Sequence, residues 1–271
     1  MPFATPVPSQ FFGTMEARLA SDESEIRAAQ QLRYKIFYEE MGAKPTPEFQ
    51  KQKRDFDKYD DVCDHLLILD HKIGKGPDAI VATYRLIRQS AAEAVGGFYS
   101  TAEYDISKIM QFPGNLLELG RSCVHEKYRT RPTMQLLWRG IAGYVFHHKL
   151  DLMFGCASFH GNDVMAHAES LSYLYHYHLA PERLRAKTLP DLYVDMNLMP
   201  KESIDPKRAL MALPPLIKGY MRLGGFYGDG AYIDQQFNSI DVFVMVQTDQ
   251  ITDKYFKYYE RTTITNGSEE E

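Results

Sequence analysis

Residues 116–162 read LLELGRSCVHEKYRTRPTMQLLWRGIAGYVFHHKLDLMFGCASFHGN and hold the residues best placed to do chemistry. An apolar, strand-like run carries Glu118 and Arg121. A turn with Lys127, Arg129 and Arg131 follows, and then a stretch of helical periodicity. A helix N-terminus leaves backbone N–H groups unpaired, and its dipole favours negative charge, so this turn is a candidate anion site. Arg129 and Arg131 either add cations to it or are ordinary solvated loop charges. Glu118 and Arg121 either act separately or form an ion pair. Period-two alternation puts residues three apart on opposite faces of a regular strand, so the pair requires a bulge.

The elements that must position these groups alternate along the chain. Residues 15–20 predict a short strand. Asp22 with Glu25 resembles a capping box and opens a helix that runs to about Met41, where Gly42 supplies the stop. Residues 43–62 are polar, with two prolines, and read as a long loop of the kind that is usually functional or disordered. Residues 65–71 and 79–88 predict a hairpin around 72–78. Residues 89–114 form a mixed insertion, 116–124 a strand, and Met134, Leu137, Trp138, Ile141, Val145 and His148 fall at helical spacing, with Arg139 elsewhere on the wheel. A nearly uncharged strand over 152–159 follows, then helices over 161–179 and 206–223 and a strand-like stretch over 231–246. This order predicts an α/β (α+β) fold: a mixed, mostly antiparallel central sheet flanked by helices on both faces. Residues 14–260 read as one domain, with flexible tails at 1–13 and at the acidic 261–271.

Composition narrows the function classes. A net charge of −5 disfavours generic nucleic-acid binding. Three cysteines without paired spacing point to reduced thiols and a cytoplasmic setting. The N-terminus has three prolines and no basic region, unlike a signal peptide, and no apolar run approaches the ~20 residues needed to span a bilayer. No metal-binding motif is present: His147/His148 and His176/His178 point in different directions on a helix. Cys123 offers a nucleophile only if it is not simply buried.

The 116–162 segment resembles the core motif of the GNAT acyltransferases, in which a strand leads into a phosphopantetheine-binding turn and helix. The run from Arg129 through Thr133 lacks the glycines usual in that turn, which leans toward carrier-protein thioesters over tight coenzyme A contact. ELGRSCV, LLWRG, FGCASF, LPPLIKGYMRLGG, FNSIDVFVMV, CDHLLILD and VATYRLI together are similar to the ornithine N-acyltransferase (hemolysin-like) family, over roughly residues 15–246. The resemblance implies transfer of a 3-hydroxyacyl group from acyl carrier protein, with acyl-CoA the alternative donor, to the α-amine of ornithine. It implies no permanently bound cofactor and peripheral contact with the inner membrane. Arg33, Phe37, Asp57, Asp60, Arg85, Glu118 and Arg121 also echo the acyl-homoserine lactone synthases. Gly120 and the absence of a tryptophan after Phe37 depart from that cousin. HxxxxD at His65 and Asp70 spells a glycerolipid acyltransferase pattern, but on a strand these side chains point to opposite faces.

Roles follow from that resemblance. Acylating an amino acid requires its ammonium to lose a proton, and a positioned carboxylate accepts it. Glu118 is the candidate base. Arg121 suits bidentate anchoring of a carboxylate or phosphate. The Val124 amide, with Ser122 and Ser158 secondary, is the candidate oxyanion donor. Arg129, Arg131 and Thr133 go with it on the donor side. Asp57, Asp60 and Asp61 form an acidic lip for the ornithine side-chain ammonium, or a solvated loop. Arg33 or Arg85 would take its carboxylate, with Phe37 beside them. Asp229 and Asp234 are further acceptor candidates.

Overall fold

The computed structural model describes residues 7–250. In chain order the elements are β1 (Gln10–Phe12), β2 (Met15–Leu19), α1 (Glu23–Tyr34), α2 (Pro47–Gln52), β3 (Asp64–Asp70), β4 (Ile80–Arg88), α3 (Gln89–Ala94), β5 (Tyr104–Asp105), α4 (Ser107–Met110), β6 (Leu116–Val124), α5 (Arg131–His148), β7 (Leu152–His160), α6 (Ala168–His178), β8 (Lys187–Thr188), α7 (Pro206–Ala212), α8 (Pro215–Arg222), β9 (Phe226–Asp234) and β10 (Ser239–Gln247). They fall into two compact units. One comprises residues 7–97 with 117–150, the other 98–116 with 151–250.

In the first unit the strands run in the order β1-β2-β3-β4-β6, each antiparallel to its neighbour. Every residue of β3 is buried, as its unbroken apolar run requires. Its alternation serves two helices. Leu67 and Leu69 pack with Ala29 of α1. Leu66 meets α5, where a Cβ added at Gly140 would stand 2.9 Å from a Leu66 methyl. Adjacent residues of a strand face opposite ways, so α1 and α5 cover opposite faces of this sheet. Asp22 caps α1 by accepting from the Ser24 and Glu25 N–H groups, as its spacing predicts. Glu25 in turn accepts from the Ser21 N–H at 2.9 Å and from Arg18.

In the second unit β7, β10 and β9 form an antiparallel sheet, extended by β8, parallel to β9, and β5. Phe98, Phe154, Phe243 and Tyr104 make its aromatic core. The fold class is therefore mixed α/β with mostly antiparallel strands.

Several boundaries differ from expectation. Residues 10–12, read as part of a tail, form β1 by pairing with β2, and Arg139 also reaches the Phe11 carbonyl at 3.2 Å and the Gln10 side chain at 3.4 Å. Arg139 is consequently buried, not on the polar side of α5. The stretch 206–223 breaks into α7 and α8 at Leu213 and Pro214, since the residue before a proline leaves the helical region. α6 starts at Ala168, because β7 runs on to His160 and Gly161 turns with φ +89°. The 231–246 run is two strands joined by a turn at Gln235–Asn238. Residues 261–271 lie outside the described residues. Among the described residues, no helix is long and apolar enough to cross a membrane.

Candidate active site

The charged groups gather on the face of the first sheet that α1 covers. Arg33 of α1 is completely buried. Its Nε donates to Asp55 Oδ2 at 2.7 Å, and Nη2 donates to the Asp55 carbonyl at 2.6 Å and to both Asp60 oxygens at 2.8 and 2.9 Å. Arg85 of β4 donates to Asp57 Oδ1 at 2.6 Å, lies 3.6 Å from Asp60, and stacks over the Tyr59 ring. Arg121 of β6 completes the set, 3.3 Å from Asp55 and 3.5 Å from Asp57. Three guanidinium groups thus meet three carboxylates in a largely dry environment, where charge is tolerated only when paired.

Arg121 arrives there because β6 bulges. Arg85 pairs with Gly120 and Thr83 with Cys123, so a single β4 residue, Tyr84, faces both Arg121 and Ser122. Arg121 adopts φ +50°, a left-handed conformation costing a non-glycine residue about 1–2 kcal/mol. The bulge turns Arg121 toward the face that Glu118 shares with Arg85, where regular alternation would have kept it opposite. Ion pairs with Asp55 and Asp57 hold it. Glu118 is buried on β6, close enough to Tyr59 that its charge, after burial, raises the Tyr59 hydroxyl.

The end of α1 contributes as well. Residues 35–40 widen into a π-helical turn, with the Met41 N–H reaching the Ile36 carbonyl at 2.9 Å, a feature frequent at functional sites. The turn aims the Tyr38 hydroxyl at Asp55, 3.1 Å away, and packs Phe37 against Leu32, Ile36 and Cys123.

Burial pulls Arg33 down, but the Asp60 and Asp55 charges outweigh it and leave it raised. Burial pushes Asp60 up, yet Arg33 and Arg85 overcome this and hold it at about 2. Burial lowers His65 to about 4, so it is neutral at pH 7, with Nε2 3.2 Å from the Asp60 carbonyl oxygen and 3.4 Å from Cys63. Asp60, Cys63 and His65 stand close enough to share an ion. With two guanidinium groups on Asp60, however, a dication would meet like charge, and the trio is better explained as a hydrogen-bonded cluster. Burial also pushes Cys123 up to about 12, so it is an inert core thiol.

The basic turn is built differently. Arg129 pairs with Glu40, and its Nε donates to the Val124 carbonyl at 3.0 Å, tying the turn to the end of β6. Arg131 and Lys127 are exposed. Thr133 is completely buried, its hydroxyl 3.1 Å from that of Thr130 and 3.8 Å from the Met15 sulfur. In the second unit Ser158 is exposed on β7, opposite Asp241. Asp229 is held by Lys187 and Tyr193, and Asp234 accepts from the Gln236 and Phe237 N–H groups, which makes both structural.

The sequence reading thus found Arg33, Asp57, Asp60, Arg85, Glu118 and Arg121, which the fold brings onto one face. The acidic segment is not the open lip expected: Asp60 is buried beneath Arg33, and only Asp61 is fully exposed. Asp55, Tyr38, Tyr59 and His65 were missed as members. The available signal was Phe56 and Tyr59 interleaved with the aspartates, since aromatics in a charged loop mark a segment that packs down.

Residues 32–139, which hold β6, its bulge, the basic turn and the first half of α5, match the model of the acetyltransferase (GNAT) domain. The chain is 50% identical to the L-ornithine N(alpha)-acyltransferase of Agrobacterium fabrum, over 91% of this chain and 85% of that protein. It is 49% identical to that of Rhizobium meliloti, over 90% and 84%, and 46% identical to that of Brucella abortus, over 91% and 89%. It belongs to the L-ornithine N(alpha)-acyltransferase family. Among solved structures, an N-acyl amino acid synthase from uncultured soil microbes aligns over 90% of this chain and 93% of its own at TM-score 0.49 and 11% identity. A CoA-dependent acyl-homoserine lactone synthase aligns over 89% and 83% at 0.47 and 13%.

Proposed function

We propose that the chain transfers a 3-hydroxyacyl group from the phosphopantetheine thioester of acyl carrier protein to the α-amine of L-ornithine, and that residues 14–260 act as one acyltransferase domain. The observation that carries this is the near-full-length identity to the ornithine acyltransferases, joined to a buried carboxylate and bulged arginine on one sheet face. Glu118 accepts the ammonium proton, directly or through a water. The freed amine attacks the thioester carbonyl, the Val124 N–H steadies the oxyanion, and collapse breaks the C–S bond. The thiolate leaves and is protonated, giving an amide and a free phosphopantetheine thiol.

Asp57, the most accessible of the three networked carboxylates, suits the acceptor's side-chain ammonium, and Arg121 or Arg85 its carboxylate. Arg33 and Asp60, bonded to each other, with Asp55 also held by Arg33, act as positioning residues, with Phe37 packing behind them. Exposed Arg131 and Lys127 suit an acidic carrier protein, while Arg129 is committed to Glu40. Acyl-CoA is the alternative donor. The lipid product fits a cytoplasmic enzyme in peripheral contact with the inner membrane.

Incubating the purified chain with 3-hydroxyacyl carrier protein or acyl-CoA against ornithine and a panel of other amino acids, with products read by mass, tests the reading. Acyl-ornithine formed from the carrier-bound donor is expected. Acylation of a different amine moves the acceptor, and no amide with any pair removes the enzyme.

A further inference from the structure

The second unit carries apolar side chains on its surface that its own core does not use. On α7 only Ala209 is buried, while Leu210 is 40% and Met211 71% exposed. Lys207 stands three and four residues before them, so all three share one face of the helix. Arg208 grips Glu169 at the start of α6 through Nη2, 2.7 Å from Oε1. Met165, 66% exposed, lies in the 3-10 turn that leads into α6, four residues ahead of Glu169.

The path of the chain brings these methionines to one end of the unit. Lys201 lies over Tyr177 near the end of α6, and the Asp205 N–H meets Glu169 near its start. The chain therefore runs back along α6, and α7 packs against that helix beside its first turn. Lys218 of α8 closes the group by donating to the Met211 carbonyl at 2.6 Å. Residues 200–224 hold five Lys or Arg and only two Asp or Glu, in a chain whose net charge is −5.

We infer that the α7 face formed by Lys207, Leu210 and Met211, extended by Met165 and flanked by Lys218, is a docking surface for an anionic lipid bilayer. Exposed long apolar side chains beside lysines enter the headgroup boundary while their cations meet lipid phosphates. A protein partner would supply carboxylates for the same cations, but the flexible methionines and the local excess of positive charge on an acidic protein fit a fluid anionic surface better. The inference rests on the lipid-forming reaction only for its purpose; the surface stands on its own geometry.

Sedimentation of the full chain with vesicles of phosphatidylcholine, alone or mixed with phosphatidylglycerol, tests it without substrates. Binding to the mixed vesicles is expected, with Lys207→Gln weakening it about fivefold and the double variant Leu210→Asp, Met211→Asp by about tenfold or more. Both substituted side chains are exposed, and Leu210→Ala, Met211→Ala supplies a milder pair that should weaken binding in the same direction. Mixed-vesicle binding that is absent in the unaltered chain, or unchanged in every variant, overturns the inference. So does a dimer that the aspartate pair splits while vesicle binding persists. Acyl-ornithine formation from a carrier-bound donor in vesicle-free buffer should be equal in all variants. Its absence in the unaltered chain would count against the catalytic reading and leave the vesicle result standing.

Discussion

The acidic segment around residues 55–60 and the basic turn around 125–131 look alike in the sequence, each a short charged run between regular elements. They fold to opposite ends. Asp55 and Asp60 sink beneath α1 and take Arg33, Arg85 and Arg121 as partners. Arg129 and Arg131 stay at the surface, one of them in an exposed pair with Glu40. The difference lies in what each run can bury against. Phe56 and Tyr59 give the acidic segment an apolar side, and three arginines come from elements already fixed by the sheet. The turn has only a strand end and a helix N-terminus. A loop charge is structural when its partners are preplaced, and otherwise belongs to solvent or to a ligand.

That contrast has a size, and removing Arg33 gives its upper end. Arg33→Met leaves Asp55 and Asp60 buried with fewer cations, and urea unfolding should show a loss of about 3–5 kcal/mol. A loss near zero would mean that the segment is no more tightly held than the basic turn.

Acid should act next. His65 is held neutral, with a folded pKa of about 4 against 6.5 for an unperturbed histidine. Between these values the unfolded chain binds the extra proton, so the His65 contribution is fully present above pH 6.5 and is lost as pH falls toward 4. The loss is on the order of 3 kcal/mol, and His65→Gln should flatten the pH dependence of thermal stability across that window. Asp60 has its folded pKa depressed to about 2, so its own contribution holds above about pH 4 and fades only below it.

Much of this was legible beforehand. The buried runs of β3 and β7, the β3–β4 hairpin and the Asp22 cap follow from local pattern alone, and so do the identities of most charged groups. The bulge at Arg121 did not follow. Its need was visible in the three-residue spacing from Glu118, but its existence depends on register with β4, which no local signal carries. Asp55 was passed over because burial of an aspartate depends on where Arg33 and Arg121 end up. β1 was missed because it is only three residues long, a short arm of a hairpin with β2 that Arg139, more than a hundred residues away, also holds.

The basic turn should give the smaller effects. Charge reversal at Arg131 should raise the KM for a carrier-bound donor by roughly 5- to 10-fold with little change in kcat, as expected for an exposed charge that guides association. An unchanged KM would remove the turn from the donor surface. Arg129→Ala should cost only about 0.2–1 kcal/mol in urea unfolding, the range for an exposed ion pair. A loss as large as that of Arg33→Met would erase the contrast between the two regions.

The central claim is that the α1-covered face of the first sheet carries the chemistry, with Glu118 as the proton acceptor. Acyl-ornithine formation by Glu118→Gln, measured across pH beside thermal unfolding of the same preparation, tests it most directly. The account predicts a rate lower by about 10²–10⁴-fold, loss of the acid limb of the pH profile, and a melting temperature close to that of the unaltered chain. A rate within a few-fold of the original, with the same pH profile, would contradict it and leave Glu118 a structural neighbour of Arg121.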